Sequence, residues 1–109
     1  MSDSVFEDAA EAALVAVEAA VEAALDAGLD ADIERQGNVI TLGFEDGSRI
    51  VVNSHSAARE LWLAARSGGY HYRLVDGRWI DGRSGDEFFA ALSRAVSQQS
   101  GTAVVLAAR

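Results

Sequence analysis

The stretch SVFEDAAEAALVAVEAAVEAALDAGLDADIE, residues 4–34, decides how the rest of the chain is interpreted. Its alanine-rich part has high helix propensity, and Ser4 with Glu7 matches the S-x-x-E capping box that begins a helix. Gly28 predicts where the helix ends. At about 100° per residue, one apolar stripe runs along the helix. Its members are Phe6, Val17, Val21 and Ala24, with Leu14 and Leu25 on the edge. We therefore expect a long helix with one side packed against a core.

Carboxylates occupy the strip of helix surface beside this apolar stripe. Residues 1–34 contain ten acidic side chains and no basic one, whereas residues 35–109 contain seven acids and nine arginines. Like charges one turn apart, as at Glu18 and Glu22, destabilise a helix by about 0.2–0.5 kcal/mol. Asp26 lies at the negative end of the helix dipole. Because a merely solvated surface usually mixes both signs of charge, we interpret these acids as a binding surface for a cationic partner or a metal.

Length and composition exclude several classes of protein. A chain of 109 residues predicts a single domain, residues 1–109, with a core large enough to fold alone. Cysteine is absent, which excludes disulfides and thiolate metal sites. The net charge of −8 argues against nucleic acid as a partner. No long apolar run or basic-then-apolar leader is present, so we expect a cytoplasmic protein with no membrane contact.

Alternating apolar and polar residues with turn signals predict a meander of antiparallel strands after the first helix. In the first strand, Asp30, Asp32 and Glu34 point to one side while Ala31 and Ile33 point to the other. Two-residue turns are predicted at residues 37–38 and 76–77. The predicted strands are residues 29–34, 39–44, 49–52, 70–74 and 78–81.

Residues 56–67 fit two structures. The segment has helical propensity and a helical rhythm, which favour a helix. Leu61, Leu63 and Ala65 also alternate, which allows a strand with Trp62 on the opposite face. On the strand alternative, Trp62 faces an uncovered side of the sheet and is a candidate anchor for a partner.

A second helix closes the pattern. Ser84 and Glu87 form another capping-box pattern, and Gly101 predicts the helix end. A short apolar tail, residues 102–107, is expected to pack against both helices. Helices at the two ends of an antiparallel meander predict an α+β two-layer sandwich, with both helices on one face of the sheet and the other face partly open.

The candidate chemistry is that of oxygen ligands. The chain has no nucleophile elbow, H-E-x-x-H motif or EF-hand loop. His55, expected in an exposed loop, and His71, expected on a strand, have no spacing that indicates a catalytic triad. Carboxylates bind hard cations such as iron, Mn(II), Ca(II) or Mg(II). A stripe on a helix surface does not enclose a metal, so we expect weak binding with water completing the coordination.

The run NSHSAARELWLAARSGGYHY, residues 53–72, combined with the acidic first helix and with residues 79–84, resembles the bacterial frataxins, the CyaY-type proteins. The resemblance covers essentially the whole chain. It implies the sandwich described above and a strand over residues 61–65. The family pattern N-x-Q-x-P-x-x-Q before the tryptophan reads Asn53, His55, Ala57 and Glu60 here.

The resemblance also implies a function, namely iron binding on the acidic helix and control of iron–sulfur cluster assembly. We expect a regulator without enzymatic activity, which docks on the cysteine desulfurase through its acids and on the scaffold protein through Trp62. The expected metal ligands, for weakly held Fe(II), Fe(III) or another divalent cation, are Glu7, Glu11, Glu18, Glu22, Asp26, Asp30 and Asp32. The expected partner-binding residues are Glu18, Glu22, Asp26 and Trp62.

Two alternatives remain open at the level of sequence. One is an iron-oxidising or iron-storing protein, which would need carboxylates that bridge two metals. The other is an adaptor that never uses metal. A monomer is expected, with metal-driven oligomers as a second state.

Overall fold

One helix precedes a six-stranded antiparallel meander in the chain and one follows it. Both helices pack on the same face of the sheet. The computed structural model describes residues 2–108. The elements are α1 (Asp3–Asp26), β1 (Ala31–Gln36), β2 (Val39–Phe44), β3 (Arg49–His55), β4 (Glu60–Ala65), β5 (Gly68–Val75), β6 (Arg78–Asp81) and α2 (Phe88–Ser100). Each strand is antiparallel to its neighbour, and the strands follow one another across the sheet in chain order. The predicted α+β sandwich is confirmed.

Alternation along the strands separates a covered face of the sheet from an open one. One cross-strand row on the covered face runs from Ile40 through Val52 to Leu63, and all three side chains are buried. The neighbouring row on the open face runs through Asn53, Trp62 and His71. A shift of one residue in any strand would exchange these two faces, so the pattern of apolar residues sets the register.

Helix α1 lies on the covered face and supplies a large part of the core. Its buried residues include Phe6, Leu14, Val17 and Val21, in agreement with the predicted stripe. The ring of Phe6 packs edge-on against Trp79, with 6.0 Å between ring centroids. Neither helix in residues 2–108 is long and apolar enough to cross a membrane.

The ambiguous segment is a strand, as the resemblance implied, and the helical alternative is wrong. Residues 60–65 pair with β3 on one side and with β5 on the other. Leu61 and Leu63 are buried beneath the helices. Helix propensity is overridden here because both neighbouring strands offer backbone partners and the alternate leucines fit the covered face.

Both predicted capping boxes are wrong, although both helices exist. The N-cap of α1 is Ser2, whose hydroxyl accepts a hydrogen bond from the Val5 amide at 3.2 Å, and Glu7 accepts one from the Ser56 hydroxyl instead. The N-cap of α2 is Glu87, whose carboxylate accepts from the amides of Phe89 and Ala90. Several polar residues near each end could cap the helix, and tertiary contacts decide which one does.

The C-terminal tail packs against α2, one of the two helices that it was expected to contact. The hydroxyl of Ser97 accepts from the Val104 amide, and that of Ser93 accepts from the Leu106 amide. Leu106 is buried. Two serines one turn apart on α2 therefore hold an otherwise irregular segment against the core.

The N-cap of α2 gives a direct test of the corrected helix start. Glu87→Ala removes a carboxylate that accepts two amide hydrogen bonds, so we expect a loss of about 0.5–2 kcal/mol in the free energy of unfolding. For a domain of this size, each kcal/mol lowers the melting temperature by about 4–8 °C. Ser84→Ala is the matched control and should cost less, because Ser84 accepts only the Asp86 amide outside the helix. If Ser84→Ala lowers the melting temperature more than Glu87→Ala does, the helix begins with the capping box predicted at Ser84.

Candidate functional site

Seven predicted ligands lie along α1 and the edge of the sheet beside it, and we call this set the acidic ridge. Its members are Glu7, Glu11, Glu18, Glu22, Asp26, Asp30 and Asp32. All are exposed except Glu18, which is half-buried. The first five are on α1, Asp30 is in the connection after it, and Asp32 is on β1, which is the edge strand.

The members of the acidic ridge do not all share one face. Along β1, Ala31, Ile33 and Arg35 alternate with the exposed residues Asp32 and Glu34. Arg35 contacts α1, so Asp32 points to the opposite, open side of the sheet. The ridge therefore runs down α1 and continues round the edge strand.

Arg35 forms ion pairs with two members of the ridge, which distinguishes them from the members that have no ion pair. Its guanidinium donates through Nη1 to Glu18 Oε1 and through Nη2 to Glu11 Oε1, each at 2.7 Å. The two carboxylates raise the pKa of Arg35 above its ordinary value through these hydrogen bonds. Glu7 is also engaged, since its Oε1 accepts from the Ser56 hydroxyl at 2.7 Å. Glu7, Glu11 and Glu18 form the upper part of the ridge, and each of them already accepts a hydrogen bond from another side chain.

The lower part of the ridge, Glu22, Asp26, Asp30 and Asp32, forms no ion pair within residues 2–108. Some acids elsewhere in the chain are paired, as Asp86 is with Arg94. The last turn of α1 contains no basic residue. Negative charge therefore accumulates at the end of α1 and the start of β1, where the helix dipole adds to it.

The donor set of the ridge suits a hydrated hard cation and does not enclose one. Carboxylate oxygens are the ligands that iron, Mn(II), Ca(II) and Mg(II) accept. In the described part of the chain, no three His, Asp or Glu side chains come close enough together to hold one metal ion. Any ion on the ridge would keep most of its water and be held weakly.

The second candidate surface is a stack of three rings on the open face of the sheet. Trp62 lies between His55 and His71, with centroid separations of 4.1 and 4.5 Å and planes within 11° of parallel. Both faces of the indole are therefore covered, and Trp62 is half-buried rather than fully exposed. His71 is on a strand, as predicted, but His55 ends β3 and is not in an exposed loop.

Glu60 holds the edge of this stack. Its carboxylate accepts from Trp62 Nε1 at 2.9 Å and from Arg73 Nε at 3.2 Å. The indole donor, followed by the Arg73 guanidinium, lowers the pKa of Glu60. Two imidazoles and one carboxylate thus set the orientation of Trp62 on the open face.

Sequence reasoning missed Arg35 and Glu60. Arg35 occupies the same alternating positions of β1 as Ala31 and Ile33, and a charged residue at an inward position is the signal that could have identified it. Glu60 stands two residues before Trp62 and therefore shares its face of β4, which is also visible in the sequence. Neither signal specifies which side chain is contacted.

Two helices on one face of a six-stranded antiparallel meander, with acids along the first helix, define the frataxin-type class of α+β proteins. A frataxin from Psychromonas ingrahamii is similar in structure, with a TM-score of 0.88 and 36% identity over 98% of this chain and 99% of that one. A trimeric frataxin from the yeast Saccharomyces cerevisiae, described as complexed with ferrous, matches with a TM-score of 0.76 over 86% of this chain and 87% of that one. At 24% identity, this second likeness concerns the fold alone.

The sequence comparisons lead to the same class. The family model described as a frataxin-like domain matches residues 1–102. Proteins from Burkholderia mallei and Burkholderia pseudomallei named "Iron-sulfur cluster assembly protein CyaY" are 53% identical over 108 residues, which is 99% of this chain and all of theirs. The chain belongs to the frataxin family.

The position of Trp62 predicts a small effect on stability. Trp62→Ala should cost less than the ~3–5 kcal/mol typical of a buried tryptophan, because its ring lies on the open face of the sheet, outside the apolar core. Leu63→Ala, one residue further on the covered face, is the control and should cost about 2–5 kcal/mol. Urea unfolding of both variants tests this, and a larger loss for Trp62→Ala would place that ring in the core.

Proposed function

We propose that this chain is an iron-binding regulator of iron–sulfur cluster assembly that docks on the cysteine desulfurase through its acidic ridge. The names of its 53% identical relatives support the role in cluster assembly. The expected site of action is the cytoplasm. Iron is cargo or effector in this proposal and is held on the surface.

The observation that carries the proposal is the unpaired lower part of the ridge. Glu22, Asp26, Asp30 and Asp32 are exposed and unpaired among the described residues, although nearby acids such as Glu11 and Glu18 have an arginine. Concentrated charge of one sign attracts a partner of the other sign and speeds the encounter. A basic surface on the desulfurase fits this arrangement.

Metal binding would use the same carboxylates. An ion near Glu22 and Asp26 would relieve the repulsion between acids one turn apart. With few protein ligands per ion, affinity would be low and discrimination among divalent cations poor. Iron bound in this way remains exchangeable, which suits a protein that senses or delivers iron.

The stack around Trp62 is the proposed contact with the scaffold protein. It is centred on β4, whereas the ridge lies on α1 and the edge strand β1, and strands β2 and β3 separate the two proposed docking surfaces on the open face. Aromatic residues held rigidly at a surface lose little conformational entropy when a partner covers them. His55, Trp62 and His71 would then be covered together.

The two alternative functions, an iron-oxidising protein and a metal-independent adaptor, predict different experimental results. An iron-oxidising protein would consume oxygen when Fe(II) is added and would need carboxylates that bridge metals, whereas a regulator would not. A metal-independent adaptor would bind its partners equally well with chelator present. We favour a regulator without enzymatic activity that is monomeric without metal and forms oligomers only when metal is added.

Docking through the ridge predicts strong dependence on salt. Desulfurase affinity should fall as ionic strength rises, mainly through the association rate, because exposed charges are screened beyond about 8–10 Å. Glu22→Gln with Asp26→Asn should weaken binding by about tenfold. Surface plasmon resonance at several salt concentrations measures both effects.

The matched control removes the same charge elsewhere. Asp76→Asn with Asp86→Asn changes the net charge equally but lies in the β5–β6 turn and before α2. It should leave the affinity near that of the wild type. Equal losses for both double variants, or binding that ignores salt, would exclude ridge-directed docking.

Weak metal sites predict a gradual rise in melting temperature. A ligand that binds only the folded state stabilises it by RT ln(1 + [L]/Kd), about 2.7 kcal/mol at a hundredfold excess over Kd. Titration with Mn(II) or Fe(II) should therefore raise the melting temperature without a sharp stoichiometric break. Glu22→Gln with Asp26→Asn should raise the metal-free melting temperature and reduce the metal response. If this variant has a lower melting temperature than the wild type, Glu22 and Asp26 stabilise the fold, and the repulsion between them is not what metal binding relieves.

A further inference from the structure

Arg35 stands where the sheet pattern calls for an apolar residue. In the register of the sheet it faces Ile40, which faces Val52, which in turn faces Leu63. Arg35 is thus the charged end of an otherwise apolar row on the face that α1 covers. Its side chain is only 20% exposed. A cation at this position requires acceptors, and the acidic ridge supplies them.

All three nitrogens of the guanidinium are used. Nε donates to the carbonyl oxygen of Gly37 at 2.9 Å, while Nη1 and Nη2 donate to Glu18 and Glu11. Glu11 and Glu18 are seven residues apart, two helical turns along one side of α1. A planar fork can reach both, whereas a lysine ammonium would act as a single point charge. The Gly37 contact fixes the fork in place before any external ligand arrives.

The contacts give the two parts of the ridge different roles. Glu11 and Glu18 already have a cation that is covalently part of the chain, so an external ion must displace it. Glu22, Asp26, Asp30 and Asp32 have no such competitor within residues 2–108. The positive charge of Arg35 also lowers the attraction that the upper ridge exerts on other cations.

We propose that Arg35 is a built-in counter-ion that excludes metal ions from Glu11 and Glu18 and confines them to the lower ridge. This inference rests on the proposed function only in taking the ridge to bind cations. It assigns Glu11 and Glu18 to attaching the edge strand to α1. It also identifies Arg35 as the residue that limits how many ions the chain holds.

Arg35→Gln tests the proposal by replacing the guanidinium with a shorter side chain that is polar but uncharged. Mn(II) is the probe, and the loss of the free-ion signal in electron paramagnetic resonance reports binding. We expect Arg35→Gln to bind Mn(II) roughly threefold more tightly than the wild type, or to take up additional ions, because two carboxylates lose their cation. Arg35→Leu, which continues the apolar row, should show the same gain and guards against misfolding of one variant.

Two controls make the result specific. Arg94→Gln removes an equal charge from α2, where Arg94 pairs with Asp86, and the Mn(II) binding of this variant should remain close to that of the wild type. Adding Glu11→Gln and Glu18→Gln to Arg35→Gln should abolish the gain. Equal gains from Arg94→Gln and Arg35→Gln, or a gain that survives in the triple variant, would overturn the assignment.

The outcomes separate this inference from the proposed function. If the wild type binds Mn(II) and Arg35→Gln binds it no more tightly, the role of Arg35 fails and metal binding by the ridge stands. If only Arg35→Gln binds Mn(II), the exclusion of ions from Glu11 and Glu18 by Arg35 stands, whereas metal binding by the lower ridge of the native chain fails. Binding by neither protein overturns both.

Discussion

The position of the acidic ridge depends on the way α1 covers one face of the sheet. The buried stripe of α1, which includes Phe6, Val17 and Val21, must face the strands. That requirement leaves the adjacent acidic strip at the margin of the sheet, above the edge strand β1. The carboxylates could not lie over the middle of the sheet without burial of unpaired charge. Core packing therefore determines where the acidic ridge lies.

The edge strand β1 contributes both to packing against α1 and to the charged surface. An exposed edge of unpaired backbone groups can recruit other chains, and natural sheets protect such edges with charged side chains. Here Asp32 and Glu34 project from one side of β1, while Arg35 connects the other side to α1. The same residues that discourage edge-to-edge pairing thus also shape the candidate binding surface.

The open face of the sheet has a different character from the helical side. The ring of Trp62 stacks between His55 and His71, and its indole Nε1 donates a hydrogen bond to Glu60. These contacts fix a large aromatic residue at a surface that no helix covers. In the proposed function, the two surfaces would meet different partners, one mainly through charge and the other through aromatic contact.

The sequence by itself determined the number and order of the helices, most strand positions, the two-layer class and the acidic character of α1, because periodicity and turn residues are local signals. It also placed Trp62 opposite Leu61 and Leu63, once β4 was a strand. For β4, the residue pattern allowed a helix or a strand, and the family resemblance favoured the strand that the structure has. Only tertiary structure decided that Ser2 and Glu87 cap the helices and that Arg35 pairs with Glu11 and Glu18. Those outcomes depend on contacts between residues 17 to 24 positions apart or on competition among nearby caps, which no local pattern resolves.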